Sequence, residues 1–400
     1  MHALQRTWAE VSLDALARNL DEIRRLIGGA RLMAVVKADA YGHGAVPVSR
    51  LLREYRAEYL AVASADEAME LRRAGIRTPI LILGFTPPAL TPMLIENNLT
   101  QTIFDRKTAE AMSCAAAGCA RPLRVHLKVD TGMSRLGLVW RGEQTLCEMV
   151  DMCRLPHLEY EGLFTHLVQS ERPDDAFTSQ QLSDFDGIRD SLAAANIKFS
   201  ICHCANSGAM IQYGKSHCDM VRAGLLLYGL TPGQDLPFDG QAAMTLYSVV
   251  SQVKEIGAGV SVSYGRTFTA HRPMRVAVVA AGYADGYVRA LSGKASVLIA
   301  GRRAPILGAV CMDMLIADVT GIPEVCAGDP VVLFGPGQGS AIPAEELAGL
   351  AGTISYEIVC SVGKRVPRVY LRDGQEVGRT NHLLGDEEYV THRRPTQGKS

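Results

Sequence analysis

Lys37 is a candidate catalytic group because it closes a short apolar segment in AVVKADAYGHG (34–44). A lysine at the carboxyl end of a buried strand is partly desolvated, which favours the free amine that forms a Schiff base. A solvated lysine at a strand end is the alternative, and the segment by itself favours neither. Tyr41 and the glycines after it could shape a phosphate-binding loop or only a turn.

Three further segments place charged side chains in or after apolar runs. HLKVDTGMSRLG contributes Lys128 and Arg135 with Asp130 between them, and FTHL contributes His166. As a lone histidine, His166 would more often be a structural residue. Arg222 lies inside the apolar run MVRAGLLLYGL, where an unpaired charge is unfavourable, so we expect it to have a specific partner.

A phosphate site is indicated by HCANSGA (203–209), in which Ser207 stands at a predicted helix start. Backbone N–H groups at such a start can bind phosphate. In an α/β barrel, the loops after the seventh and eighth strands commonly hold a phosphate group. Ser207 and Gly224 occupy these two loops if the fold is such a barrel.

The elements that must position these residues alternate between strands and helices. Apolar residues at helical spacing predict a helix from Ser12 to Ile27, with Ser12 as its cap. Eight apolar segments then predict a parallel sheet covered on both faces, at 31–37, 57–64, 79–84, 100–104, 123–130, 160–166, 199–203 and 217–224. Eight strands in about 230 residues favour a (β/α)8 barrel over a doubly wound sheet, since no glycine-rich turn follows the first strand.

The sequence changes beyond the Pro- and Gly-rich segment 231–241, where closely spaced strand-like runs alternate with turn residues. This pattern predicts a mainly antiparallel β domain that contains one helix, at 343–352. The expected divisions are therefore a barrel region at 1–238, a β domain at 239–380 and a flexible polar tail at 381–400.

Composition argues against several classes of partner. The 41 Lys and Arg balance 42 Asp and Glu to a formal net charge of −1, which disfavours nucleic acid or an anionic membrane. No signal-peptide core and no long apolar run are visible, so we expect a cytoplasmic protein. The ten cysteines lack disulfide or zinc spacing, and we interpret them as reduced thiols with no metal site.

Nine fragments of the chain, taken in order, resemble the alanine racemases. They run from about residue 7 to 370 and read AVVKADAYGHG, KVDTGMSRLG, THL, HCANSG, MVRAGLLLYG, VSYGRTF, AGYADGY, CMDM and TISYE. The resemblance implies a barrel that binds pyridoxal 5'-phosphate (PLP), followed by a β domain. It also implies a homodimer whose active sites contain residues of both subunits. Two departures are VQSE after THL and the reactive Cys204 in HCANSGA.

The same resemblance implies a role for individual residues. Lys37 corresponds to the lysine that forms the Schiff base with PLP, and Tyr264 corresponds to a second base from the partner subunit. Arg222 corresponds to the arginine that faces the pyridine nitrogen, with His166 beside the ring. The remaining implied roles are phosphate binding by Tyr41, Ser207, Gly224, Leu225 and Tyr356; substrate carboxylate binding by Arg135 and the Met312 N–H; an entrance position for Tyr283; and possible carbamylation of Lys128.

Racemisation removes a proton from one face of the substrate and adds one to the other face, so it requires two bases on opposite sides. Lys37 and Tyr264 meet that requirement, and Arg222 can only donate to the pyridine nitrogen, which argues against a decarboxylase. Alanine is the substrate that the resemblance implies, with D-alanine supplied for peptidoglycan. A serine or broad-specificity racemase and a non-catalytic PLP carrier remain as alternatives.

Overall fold

The structure is a computed structural model that describes residues 6–233 and 236–389. The chain divides into two compact units. The described residues of the barrel unit are 17–40, 45–233 and 236–241. The described residues of the β unit are 6–16, 41–44 and 242–389.

Eight parallel strands form the barrel unit, which confirms the predicted (β/α)8 barrel. They are β1 (Arg31–Val35), β2 (Tyr59–Val62), β3 (Ile80–Ile82), β4 (Leu99–Ile103), β5 (Leu123–Asp130), β6 (Leu158–Phe164), β7 (Ile201–His203) and β8 (Met220–Ala223). Each strand pairs with the next in the series up to β7, and β8 pairs with β1. Backbone hydrogen bonds from Asp219 to Cys202 and from Arg222 to Ala205 connect β7 with β8, so the barrel is nearly closed.

Helices connect the barrel strands because their apolar residues recur at helical spacing and face the sheet. The helices are Leu13–Ile27, Ala45–Glu54, Ala65–Arg73, Thr91–Glu96, Arg106–Ala116, Glu143–Cys153, Ala176–Ala194 and Ser207–Gln212, with 3-10 turns at Pro88–Leu90, Gly214–His217 and Leu225–Tyr228. The short strand Leu138–Val139 adds to β5. The first helix begins as predicted, since the Ser12 hydroxyl accepts a hydrogen bond from the Ala15 N–H at 3.1 Å.

The β unit is a mainly antiparallel sheet, as predicted. Its strands are Thr7–Ser12, Met244–Ile256, Ser261–Val262, Phe268–Thr269, Met274–Val279, Ser296–Ile299, Arg302–Pro305, Leu315–Asp318, Pro330–Pro336, Ala341–Ile342, Arg368–Arg372, Gln375–Asn381 and Asp386–Tyr389. The predicted helix is Ala344–Ala351, and a second helix that the sequence analysis did not predict is Ser355–Cys360. Short 3-10 turns lie at Tyr264–Arg266, Tyr283–Asp285 and Arg289–Leu291.

Two segments from the first part of the chain belong to the β unit and not to the barrel unit. Thr7–Ser12 pairs antiparallel with Met244–Ile256 and parallel with Arg368–Arg372, and alternate side chains of the segment are buried. In Tyr41–Gly44, the Gly42 carbonyl accepts a hydrogen bond from Arg368 Nε at 3.0 Å. Gly44 has φ +96°, and a side chain there would collide with the Tyr370 hydroxyl.

The segment 381–400, predicted as a flexible tail, contains a strand in its first part. Asp386–Tyr389 pairs antiparallel with Gln375–Asn381. Residues 390–400 lie outside the described part of the chain, and the prediction for them is untested. Across residues 6–233 and 236–389, none of the helices combines the length and the apolar character that crossing a bilayer requires.

Gly162 in β6 gives a test of barrel packing, because a Cβ there would lie 2.5 Å from Cγ and Nδ1 of His126. We expect Gly162→Ala to lower the free energy of unfolding by about 1–3 kcal/mol through overpacking. Urea denaturation measures this change. The matched control is Gly187→Ala, on an exposed helix position with no atom within 4 Å of the new Cβ. Equal effects of the two substitutions would contradict the packing at Gly162.

Candidate active site

Arg222 in β8 is buried and donates hydrogen bonds from both terminal nitrogens. Nη1 donates to Nδ1 and the carbonyl of His203 at 2.8 and 3.1 Å. Nη2 donates to the carbonyls of Thr165 and Cys204, both at 2.9 Å, and to Nδ1 of His166 at 3.0 Å. The partner expected for this guanidinium is therefore a cage of carbonyls and imidazoles at the ends of β6 and β7.

The guanidinium remains charged and keeps one donor free. Burial, together with Arg135, lowers the pKa of Arg222 to about 10, so the side chain is protonated at neutral pH. Its Nε–H has no acceptor within the described part of the chain. This donor, on a guanidinium whose terminal nitrogens are bonded within the barrel unit, can bond to an acceptor that is not part of the chain.

The two histidines around Arg222 are neutral acceptors. Because an arginine can only donate, His166 and His203 must each accept through Nδ1 and carry their proton on Nε2. Burial, followed by the charge of Arg222, holds the pKa of both histidines well below the usual value. His166 is thus fixed by Arg222 and is not an isolated structural histidine.

Lys128 near the end of β5 is a buried amine among other cations. Burial first, and then Arg222, Arg135 and Lys37, lower its pKa to about 8, whereas Asp130 acts in the opposite direction. Nζ lies 5.5 Å from the centroid of the Phe164 ring and makes no hydrogen bond to a described residue. This part of the barrel unit therefore carries more positive than negative charge.

Asp130 shapes the loop that leads to Arg135. Its Oδ1 accepts hydrogen bonds from the N–H groups of Gly132 and Met133 at 2.9 and 2.8 Å. Arg135 is exposed and makes no ion pair or hydrogen bond with another residue of the described chain. A free guanidinium on a loop held by Asp130 can bind a carboxylate or a phenolate.

Lys37 follows β1 and begins a left-handed turn that the sequence analysis missed. Ala38, Asp39, Ala40 and Tyr41 have φ values of 52–54°. Non-glycine residues adopt this conformation at a cost of about 1–2 kcal/mol each. Hydrogen bonds offset the strain: Glu67 accepts from the Ala38 N–H at 2.8 Å, and Asp39 accepts from the N–H of residue 45 at 2.7 Å. Strained backbone of this kind is typical of functional sites.

Ser207, Gly224 and Leu225 lie together after β7 and β8. Asn206 caps the helix Ser207–Gln212, since its Oδ1 accepts from the Ala209 N–H at 3.1 Å. The Ser207 hydroxyl faces the Gly224 N–H at 3.3 Å. These three of the five predicted phosphate residues are buried in two loops that are the usual phosphate position in barrels.

The predicted residues of the β unit fall into two groups. Tyr264, Tyr283 and Met312 have exposed side chains, with 72% of Tyr264 and 52% of Met312 accessible. Tyr41 and Tyr356 pack against each other with ring centroids 5.9 Å apart. Burial, and then the neighbouring Tyr356, raise the pKa of Tyr41, so its phenol is protonated.

A buried carboxylate holds the exposed loops of the β unit in place. Asp285 accepts from Arg6 at 2.6 Å and from Arg365 at 2.8 Å, and Arg365 also binds Asp313 at 2.7 Å. The N–H groups of residues 283 and 284 donate to the carbonyls of Cys311 and Met312 at 3.0 Å. Tyr283 and Met312 are consequently neighbours in space, which the sequence analysis did not show.

The structure thus brings together Lys37, Lys128, Arg135, His166 and Arg222 in the barrel unit. The sequence analysis missed His203 and Asp285, although both lie inside the motifs HCANSG and AGYADGY. All ten cysteines are free thiols. No group of three or more His, Cys, Asp or Glu side chains in residues 6–233 and 236–389 is arranged to hold a metal ion.

Fold and site define a two-unit α/β-barrel enzyme with its charged residues at the carboxyl ends of the barrel strands. Comparison with known families identifies it further. The alanine racemase N-terminal domain matches residues 11–232, and the alanine racemase C-terminal domain matches residues 243–370. The chain belongs to the alanine racemase family and is an isomerase.

Relatives in both sequence and structure span nearly the whole chain. The alanine racemases of Desulfovibrio desulfuricans and Desulforamulus reducens are each 44% identical to it, over 91% of this chain and 98% of theirs. The structure of alanine racemase from Clostridium difficile 630 superposes with a TM-score of 0.90 at 36% identity, covering 95% of this chain and 99% of the other. The Bacillus anthracis alanine racemase structure with bound L-Ala-P gives 0.90 at 35% identity, covering 96% and 100%.

Lys128 gives a direct test of the charge distribution in the barrel unit. In buffer free of carbon dioxide, we expect acetylation of Lys128 to rise with pH around a midpoint of about 8, because its amine loses the proton there. Pulse labelling with acetic anhydride and mass spectrometry measures the profile, with the exposed Lys107 as internal reference. A midpoint close to 10.5, the ordinary value for lysine, would contradict the arrangement of cations.

Proposed function

We propose that this chain interconverts L- and D-alanine with PLP as its cofactor, working as a cytoplasmic homodimer that supplies D-alanine for peptidoglycan. The observation that carries the proposal is the match to the alanine racemase family through both units. The unsatisfied donor of Arg222 and the cluster of cations around it support the cofactor assignment independently.

The residues of the barrel unit fit PLP in charge and in hydrogen bonding. The Nε–H of Arg222 lacks an acceptor, and a pyridine nitrogen is an acceptor. Lys37, Lys128 and Arg135 add positive charge that a phosphate, a phenolate and a substrate carboxylate would neutralise. In our proposal Ser207, Gly224 and Leu225 hold the phosphate, with Tyr41 and Tyr356 as further contacts. When bound, PLP supplies the electron sink that a carbanion at the substrate Cα requires.

The remaining steps belong to the side chains of this protein. Lys37 follows the carboxyl end of β1, where active sites of α/β barrels form. In our proposal it binds the cofactor and moves a proton at one face of the substrate. Arg135 and the backbone N–H of Met312 orient the substrate carboxylate. His166, which we place beside the pyridine ring of PLP, stays neutral because its Nδ1 accepts a hydrogen bond from Arg222. Arg222 itself donates and never protonates the pyridine nitrogen, since its guanidinium keeps its proton at neutral pH.

Tyr264 of the partner subunit is the proposed base on the opposite face. Within its own chain the side chain is 72% exposed, and Met312 and Met314 are also more than half exposed. Large apolar side chains exposed together indicate an interaction surface. A second copy of the chain fits this surface because symmetric homodimers are the commonest protein assemblies.

Lys128 is proposed to carry a carbamate. The ammonium group of a lysine first loses one proton, and the neutral amine then adds carbon dioxide and releases a second proton, so that a positive charge is replaced by a negative one overall. At Lys128 this change would place an anion among Arg222, Arg135 and Lys37, where a cation is unfavourable. Repeating the acetylation experiment with bicarbonate tests the proposal, since a carbamate should protect Lys128 and leave Lys107 reactive.

The first prediction for the activity concerns the substrate. Purified PLP-loaded protein should convert L-alanine to D-alanine rapidly and L-serine slowly, since a small pocket discriminates against a hydroxyl by about a hundredfold. Chiral chromatography of the products measures both rates. Comparable rates for the two amino acids would favour a broad-specificity racemase. An intact cofactor absorbance with no D-isomer would leave a PLP carrier as the function.

The second prediction concerns the origin of Tyr264. Lys37→Ala and Tyr264→Phe homodimers should each lose racemisation, by about 10²–10⁴-fold for the tyrosine. Mixed dimers of the two variants should regain about a quarter of wild-type activity, because half of the dimers are mixed and each has one complete site. Tyr247→Phe, at a β-unit tyrosine that stacks on Trp8, is the matched control. No recovery on mixing would show that both bases come from one chain.

A further inference from the structure

A buried chain of polar side chains runs away from Arg222 through the interior of the barrel unit. We propose that Glu161, His126 and His203 form a positioning relay that fixes the orientation of Arg222. The relay itself stands on contacts within the chain, and only its effect on catalysis rests on the proposed function. None of the three residues is among those to which a catalytic or binding role was assigned above.

The direction of each hydrogen bond follows from the first one. Arg222 donates to Nδ1 of His203 at 2.8 Å, so the single proton of the neutral His203 ring is on Nε2. That Nε2 lies 2.9 Å from Nδ1 of His126 and must be the donor. His126 therefore accepts at Nδ1 and carries its own proton on Nε2. One arginine sets the tautomers of two successive histidines.

A carboxylate ends the relay. Nε2 of His126 lies 3.5 Å from Oε2 of Glu161, which is an electrostatic contact and not a hydrogen bond, and the Tyr59 hydroxyl donates to the same oxygen at 2.6 Å. Although burial acts in the opposite direction, the contacts with His126 and Tyr59 hold the pKa of Glu161 below its usual value. Glu161 is thus an anion toward which every hydrogen of the relay is directed.

Local backbone structure is built to hold His126 in this position. The pairing of β5 with β6 shifts register between Val125 and His126, so that Gly162 and not Glu161 lies opposite His126. The imidazole packs on the bare Cα of Gly162, where any side chain would strike it. Burial first, and also the nearby Arg124 and Arg31, lower the pKa of His126 despite Glu161, so the ring stays neutral.

The relay matters because the alternative tautomer of His203 is incompatible with Arg222. A proton on Nδ1 of His203 would face the Nη1 donor of Arg222, and two donors cannot bond. Arg222 would have to turn, and its free Nε–H would turn with it. His126 prevents this by accepting from Nε2 of His203. The negative charge of Glu161, 3.5 Å from Nε2 of His126, favours a proton on that nitrogen and so the same tautomer of His126. The three residues act on the reaction only through Arg222.

The first test uses the apoprotein and needs no activity. In protein labelled with ¹⁵N-histidine, His203 and His126 should both show the Nε2–H tautomer from about pH 6 to about pH 9, without titrating. Long-range ¹H–¹⁵N correlation spectra distinguish the two tautomers. Signals that disappear in His203→Gln and His126→Asn protein assign the two rings. An Nδ1–H proton on either ring, or titration within this range, would overturn the relay.

The second test asks whether the relay positions Arg222 in the loaded enzyme. His126→Phe keeps an aromatic ring but removes the acceptor, and we expect kcat to fall about tenfold with KM nearly unchanged. His126→Asn should restore most of kcat, since its Oδ1 can replace Nδ1. Glu161→Gln should lower kcat less than His126→Phe does. Glu159→Gln, which removes a charge from an exposed position two residues earlier on β6, should leave kcat unchanged.

The outcomes separate the relay from the proposed function. Wild-type protein that shows the two tautomers but does not racemise alanine would refute the proposed function and keep the relay. Racemising wild-type protein in which His126→Phe retains full kcat would refute the positioning role. Equal losses in His126→Phe and His126→Asn would do the same, because they would indicate a loss of packing and not of an acceptor.

Discussion

Burial of the Arg222 charge is the constraint on which the rest of the site depends. A guanidinium that is almost fully enclosed requires an acceptor for each N–H, since every unsatisfied donor is unfavourable. The barrel meets this requirement for the two terminal nitrogens with carbonyl groups at the ends of neighbouring strands and with two imidazoles, and the described chain provides no acceptor for Nε–H. Phe164 covers one side, with its ring centroid 5.5 Å from the guanidinium carbon, and stacks on His203. The interior at this end of the barrel is therefore polar by necessity.

The burial of Arg222 determines the protonation states of the neighbouring side chains. His166 and His203 can serve as acceptors only while they are neutral, and the charge of Arg222 keeps them neutral. The same charge, with that of Arg135, lowers the pKa of Lys128. Asp130 acts in the opposite direction and raises the pKa of Lys128. Such an excess of positive charge makes an anionic ligand stabilising, so binding of the ligand and stability of the barrel unit are coupled.

The sequence predicted the architecture well because its signals are local. Apolar runs specify the eight parallel strands, and their bounds differ from the predicted ones by no more than about three residues. Contacts between distant segments had no such signal. In the sequence, Thr7–Ser12 only precedes a predicted helix, yet in the structure it pairs with a strand more than 230 residues later in the chain. The left-handed turn after Lys37 contains no glycine or asparagine that could have revealed it.

The candidate site was predictable only as far as the motifs reached. Motif positions identified Arg222 and His166, and the requirement for a buried partner was foreseen from charge alone. His126 and His203 are separated by 77 residues, and nothing in their types shows that one ring accepts from the other. Gly162 illustrates the difference: in the sequence it is one of 38 glycines, and in the structure it is the residue on which His126 rests.

The β unit shows the opposite arrangement from the barrel unit. Its functional candidates are exposed, while the residues that anchor them are buried: Asp285 is enclosed and holds the loops of Tyr283 and Met312 through Arg6 and Arg365. Exposed aromatic and methionine side chains on loops that are held by buried ion pairs can contact a second molecule without reorganising, as our proposal for Tyr264 requires. A buried cation with incomplete hydrogen bonding in one unit and rigid exposed side chains in the other are each incomplete alone. The ligand and the second subunit that we propose would complete both, so family membership and physical argument support the same proposal.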